Sequence, residues 1–80
     1  MNISFTPHAK KEHRNLPLHI QERIVLKIEF YVGQRDPLVF AKSMGKGLHR
    51  FRVGDYRIIF YIKNDTLNIV DLDRRDRVYK

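Results

Sequence analysis

In the second half of the chain, apolar residues recur at every other position. "LHRFRV" (Leu48 to Val53) sets Phe51 and Val53 against Arg50 and Arg52, and the alternation resumes in "YRIIFYIK" from Tyr56 and in "TLNIVDL" from Thr66 to Leu72. Gly54-Asp55 and Asn64-Asp65 separate these runs, and both dipeptides suit two-residue hairpin turns. An antiparallel meander follows. Its register pairs Val53 with Tyr56 and sets Arg52 directly across from Arg57. One face then carries Phe51, Val53, Tyr56, Ile58, Phe60, Leu67 and Ile69, the predicted core. The other carries Arg50, Arg52, Arg57, Ile59, Tyr61, Val70 and Leu72, with Leu72 opposite Arg57. Asp71 is a misfit that strict alternation turns inward, which predicts an extra residue in the second turn or a bulge.

The first half changes period. "NISF" reads as a short strand, and Thr6-Pro7 supplies an N-cap and a first helical residue for a short basic helix to about Asn15. After Pro17, Ile20, Ile24, Ile28 and Tyr31 recur at helical spacing, with Val25 and Val32 widening the stripe, and the helix ends before Gly33. Residues 33–47 hold three of the four glycines and read as an irregular connector with an apolar insert at Leu38 to Phe40. The expected fold is α+β: a small antiparallel sheet, made of the N-terminal strand and a three-strand meander, with two helices packed on one face.

Composition sharpens the functional question. Eighty residues make one domain, residues 1–80, and a chain of this size buries only about 60% of the surface its unfolded form exposes. The net charge is +7, uneven along the chain: residues 1–40 hold six Lys/Arg against four Asp/Glu, residues 41–80 ten against five. A cationic second half calls for a polyanionic partner, nucleic acid or an acidic protein. There is no cysteine, hence no disulfide, thiolate nucleophile or Cys-based zinc site. Neither a membrane span nor a signal-peptide apolar segment is legible, so a cytoplasmic protein with no membrane partner is expected.

The four histidines, His8, His13, His19 and His49, show no ligand spacing to one another, so neither a metal nor any other cofactor is expected. The remaining chemistry is cationic. Two arginines facing each other across a hairpin repel, so the pairing needs an anion. The meander also returns Arg74, Arg75 and Tyr79 towards the edge that holds Arg50, Arg52 and Arg57, with Arg77 nearby. The plain alternative is a solvated, solubilising face. Clustered guanidinium groups suit a phosphodiester, whose charge grows in the transition state. Arginine is a poor general base, which leaves Tyr79 or His49 for that part.

"RFRVGDYRIIFYI", followed by a polar turn, a strand and a terminal "RRDRVY", resembles the RelE/ParE superfamily of toxin–antitoxin toxins, the RelE branch more closely. The resemblance spans essentially the whole chain. It implies the toxin of a type II system, a metal-independent endoribonuclease (mRNA interferase) that cuts translated mRNA on the ribosome by 2′-hydroxyl attack. By resemblance the catalytic set is Arg57 for the transition state, Arg50 for the phosphate, Arg75 as acid and Tyr79 as base. Arg52, His49, Arg74, Arg77 and Lys46 are then expected to bind RNA. Leu48 stands where some members carry a further active-site lysine, a charge that His49 or Arg52 could supply. The implied partners are the ribosome, mRNA and a cognate acidic, RelB-like antitoxin, which holds a monomeric toxin in a hetero-oligomeric complex on the mixed basic and apolar sheet face. The alternative is a ParE-like toxin that inhibits DNA gyrase without cutting RNA.

Overall fold

The computed structural model describes residues 1–74. Two helices lie over a five-stranded sheet whose spatial order is β1-β5-β4-β3-β2. Strand β1 (Asn2–Phe5) leads into α1 (Pro7–Arg14) and α2 (Leu18–Val32); a 3-10 turn at Pro37–Phe40 precedes β2 (Lys42–Gly45), β3 (Leu48–Val53), β4 (Tyr56–Lys63) and β5 (Thr66–Arg74).

Local chemistry explains the boundaries. Thr6 caps α1, its hydroxyl accepting the Ala9 N–H at 3.2 Å, and Pro7 fills a position whose N–H needs no partner. Asn15 and Gly33 close the two helices. Gly54 takes the positive φ of 59° that opens the β3–β4 turn. Asn64 and Asp65 both adopt positive φ, 53° and 56°, the conformation a two-residue hairpin loop with the strands' own twist requires.

Two features depart from the sequence reading. The connector is less irregular than its glycines implied: Lys42–Gly45 forms an edge strand, and the positive φ values of Lys46 and Gly47 build a third tight hairpin into β3. The glycines mark turn geometry there rather than absence of structure. The sheet is also mixed, because β1 pairs in parallel with β5, Ile3 beside Leu67 and Phe5 beside Ile69. A four-residue alternation fixes which side chains point inward but not which way the strand runs.

Both helices bury one stripe against the same sheet face. Ala9, Ile24 and Ile28 meet Phe51, Val53, Ile58, Phe60, Leu67, Ile69 and Leu72 in a single core cluster. Phe60 lies fully buried between neighbours, its ring 4.3 Å from that of Phe51, which in turn lies 4.4 Å from Tyr31. Truncating Phe60 to alanine should therefore cost about 3–5 kcal/mol, most of the stability of a chain this small. Urea denaturation checks this, and a loss below about 1 kcal/mol would show that the aromatic stack does not anchor the core.

Candidate functional site

The outer face of the sheet takes its pattern from one irregularity in β5. Phe60 pairs with Ile69 but Ile59 pairs with Asp71, so Val70 and Asp71 together oppose a single residue of β4. This is a β-bulge, and it resets the alternation. Leu72, expected outside, turns into the core at 3% exposure, and Asp71 is not driven inward. Asp73, not Leu72, stands opposite Arg57. The extra residue foreseen from the Asp71 misfit thus sits within the strand, while the second turn keeps its two residues.

The bulge supplies the anion that the facing arginines require. Arg52, Arg57 and Asp73 lie in one row across β3, β4 and β5, and an Arg57 guanidinium N–H donates to the Asp73 carboxylate at 3.1 Å. The Arg57 side chain is only 13% exposed, and its Nε is buried with no hydrogen-bond partner among the described residues. An intrinsic carboxylate, rather than an external phosphate alone, makes the Arg52–Arg57 pairing tolerable. Arg52 itself is exposed. Arg50 neighbours Lys42 on β2 and Ile59 on β4, so Lys42, Arg50, Arg52 and Arg57 form one continuous cationic patch. Lys42, Arg50 and Arg52 form no ion pair among the described residues.

Other expected site residues lie elsewhere. His49 alternates onto the helix side, where its ring lies 5.6 Å from that of Phe60. Arg74 pairs with Tyr56 and, with Glu12, Asn15, Leu16, Pro17, Tyr56 and Leu72, lines a cleft of about 450 Å³ beside the helices. Lys46 sits at the tip of the β2–β3 hairpin. Arg75, Arg77 and Tyr79 lie outside the described residues.

The structure adds a group that sequence reasoning passed over. His8 and Glu12 stand one helical turn apart on α1, and the bulge brings Asp71 to them: His8 Nε2 is 3.3 Å from an oxygen of each carboxylate. The Glu12 carboxylate also accepts the Leu72 N–H at 2.9 Å, satisfying the β5 edge beyond the reach of β1. Burial pushes the Glu12 carboxyl above its usual value, an effect that the Leu72 N–H opposes and neighbouring Asp71 reinforces. The i,i+4 spacing of His8 and Glu12 was visible in the sequence, but nothing local pointed to Asp71, 63 residues from His8. A second unforeseen feature is the outer face of α2, where Leu18, Leu26 and Phe30 are 68%, 66% and 53% exposed.

The Arg57–Asp73 pair yields a direct test. Asp73→Ala strands a mostly buried guanidinium and should destabilise the chain by about 2 kcal/mol. Removing both partners as Arg57→Leu with Asp73→Ala should recover part of that loss. Strictly additive costs in a double-mutant cycle would mean that the two side chains do not interact.

Comparison with known proteins agrees with this architecture. A family model described as the ParE toxin of the type II toxin–antitoxin system, parDE, matches residues 3–79. No curated protein matches the chain. Among solved structures, the RelBE2 toxin–antitoxin complex of Mycobacterium tuberculosis is similar at 28% identity and a TM-score of 0.74, covering 92% of this chain and 96% of that one. The RelB–RelE antitoxin–toxin complex of Methanococcus jannaschii is similar at 28% identity and a TM-score of 0.72, covering 95% and 94%. The intact Escherichia coli RelBE complex, 15% identical with a TM-score of 0.76 over 91% and 94% of the two chains, shares the fold. The α+β architecture, the arginine-bearing hairpin and a family match over nearly the whole length lead to one conclusion: the chain belongs to the ParE toxin family of type II toxin–antitoxin systems, within the RelE/ParE superfamily.

Proposed function

We propose that this toxin is a ribosome-dependent endoribonuclease of the RelE kind, acting in the cytoplasm on translated mRNA. One observation carries the reading: Arg50, Arg52 and Arg57 are neighbours on the sheet face opposite the helices, with Lys42 beside them. Four cations at strand spacing match the repeat of a phosphodiester chain better than a single small anion. In the proposed reaction the 2′-oxygen attacks phosphorus, a cyclic 2′,3′-phosphate forms and the 5′-oxygen leaves. Tyr79 takes the 2′-hydroxyl proton and Arg75 supplies one to the leaving oxygen. Arg57 opposes the charge that grows on the phosphoryl oxygens, and Arg50 holds the phosphate. Asp73 holds Arg57 by Nη2 and Nε is buried, so contact with the phosphate falls to Nη1. Tyrosine and arginine are poorly matched to proton transfer at neutral pH, so the ribosome's positioning of the message supplies much of the rate.

The gyrase reading has its own support, since the matching family model is described by a ParE toxin. Primer extension on a translated message decides between them. Codon-phased cuts on induction are expected; intact mRNA with broken DNA would establish gyrase as the target. Arg57→Ala should lower cleavage by about a hundredfold or more while ribosome binding falls much less, because the other cations still meet phosphate. Tyr79→Phe keeps the ring and removes the hydroxyl, so cleavage at the wild-type rate would eliminate tyrosine as the base.

The similar structures are toxin–antitoxin complexes, and the antitoxin proposed for this chain is acidic and amphipathic, to match a surface that is both cationic and apolar. Its apolar contacts are better served by α2 than by the sheet. Leu72 is buried, and Ile59, Tyr61 and Val70 are partly covered, whereas Leu18, Leu26 and Phe30 are exposed along one face of α2, with Glu22 between Leu18 and Leu26 and Arg23 and Lys27 alongside. Leu26→Asp should weaken antitoxin binding by about tenfold or more with the melting temperature unchanged. Undiminished binding, measured by calorimetry, would return the apolar contact to the sheet face.

A further inference from the structure

The group formed by His8, Glu12 and Asp71 is not needed for the proposed cleavage. It lies where α1 meets the part of β5 that β1 does not pair, and its three ligand atoms all fall within 4.8 Å of one another. The two separations from His8 are those of a chelate. Donors bound to one first-row divalent ion at about 2.0–2.2 Å must lie about 3.0–3.4 Å apart, and His8 Nε2 stands 3.3 Å from Glu12 Oε1 and 3.3 Å from Asp71 Oδ1.

Three further properties fit a bound cation. The donors come from two rigid elements, an i,i+4 pair on a capped helix and a residue aimed by a β-bulge, so little conformational freedom is lost on binding. Glu12 Oε1 accepts the Leu72 N–H, the kind of outer hydrogen bond that orients a metal-binding carboxylate. His8 is 67% exposed at its side chain, leaving the remaining coordination positions open to water or a further ligand.

We propose that His8, Glu12 and Asp71 form a binding site for a divalent transition-metal ion such as Zn²⁺, Ni²⁺ or Mn²⁺. One imidazole with two carboxylates favours these over Ca²⁺ or Mg²⁺, which prefer all-oxygen surroundings. The ion would neutralise two adjacent carboxylates and tie α1 to β5. It would thereby fix the strand segment that carries Asp73, two residues beyond Asp71, against Arg57. The competing explanation is a protonated His8 that bridges the two carboxylates by itself.

Titration of the 80-residue chain with Zn²⁺ by calorimetry, and with Co²⁺ by visible absorption, separates the two. Saturable binding of one ion per chain is expected, with a Co²⁺ spectrum of nitrogen and oxygen ligation. His8→Ala and Asp71→Asn should each weaken Zn²⁺ binding by about tenfold or more, while His19→Ala, outside the group, should leave it unchanged. Circular dichroism confirms that the variants fold, and Asp71→Asn preserves side-chain shape if His8→Ala perturbs the helix. Absence of saturable binding, or binding indifferent to both substitutions, would overturn the site. A loss of stability in His8→Ala that is the same with and without Zn²⁺ would assign the imidazole to ion pairing alone. The readout is ion occupancy, so it stands or falls independently of RNA cleavage.

Discussion

Between Ile69 and Leu72 the last strand carries two residues where its partner strand carries one, and the sheet has to absorb the difference. Regular alternation from Leu67 would place Asp71 in an apolar core, where an unpaired carboxylate costs several kcal/mol, and would expose Leu72. A bulge at Val70 avoids both penalties with one unpaired residue. The same step sets Asp73 opposite Arg57 and delivers Asp71 to α1. Core composition, the counterion of the arginine row and the contact between helix and strand all depend on this one irregularity.

The consequence for the basic face is a division of labour among its arginines. Arg57 is mostly covered and held by Asp73, so its guanidinium is fixed in orientation before any ligand arrives. Preorganised donors of this kind stabilise developing charge more effectively than mobile ones. Arg52 and Lys42 are exposed, and with Arg50 they carry charge without an acidic partner among the described residues. In the proposed cleavage they would attract and align the polyanion.

Most of the fold could be read from the sequence because its determinants are local. Thr6-Pro7, the Ile20-Ile24-Ile28 stripe, and the Gly54 and Asn64-Asp65 turns each act within a few residues, and of the core expected from the meander Phe51, Val53, Ile58, Phe60, Leu67 and Ile69 are buried, while Tyr56 is only partly so. The Arg52–Arg57 pairing was equally legible, since one turn fixes it. What escaped depends on contacts between distant segments. The parallel pairing of β1 with β5 has no turn to announce it, and β2 was hidden by glycines that serve its hairpin. Asp71 signalled that alternation failed without saying where, so the partner of Arg57 was missed by one residue. The same shift concealed the meeting of Asp71 with His8 and Glu12.

In the proposed function the arginine face performs chemistry on RNA rather than only binding an anionic partner. Purified protein incubated with ribosomes programmed with a defined message tests it most directly, by the position and chemical form of the message ends. Cuts phased with the codon on the ribosome, each leaving a 2′,3′-cyclic phosphate, and absent when ribosomes are omitted, are the predicted result. Message that stays intact on the ribosome, while the same preparation makes gyrase-linked breaks in DNA, would contradict it.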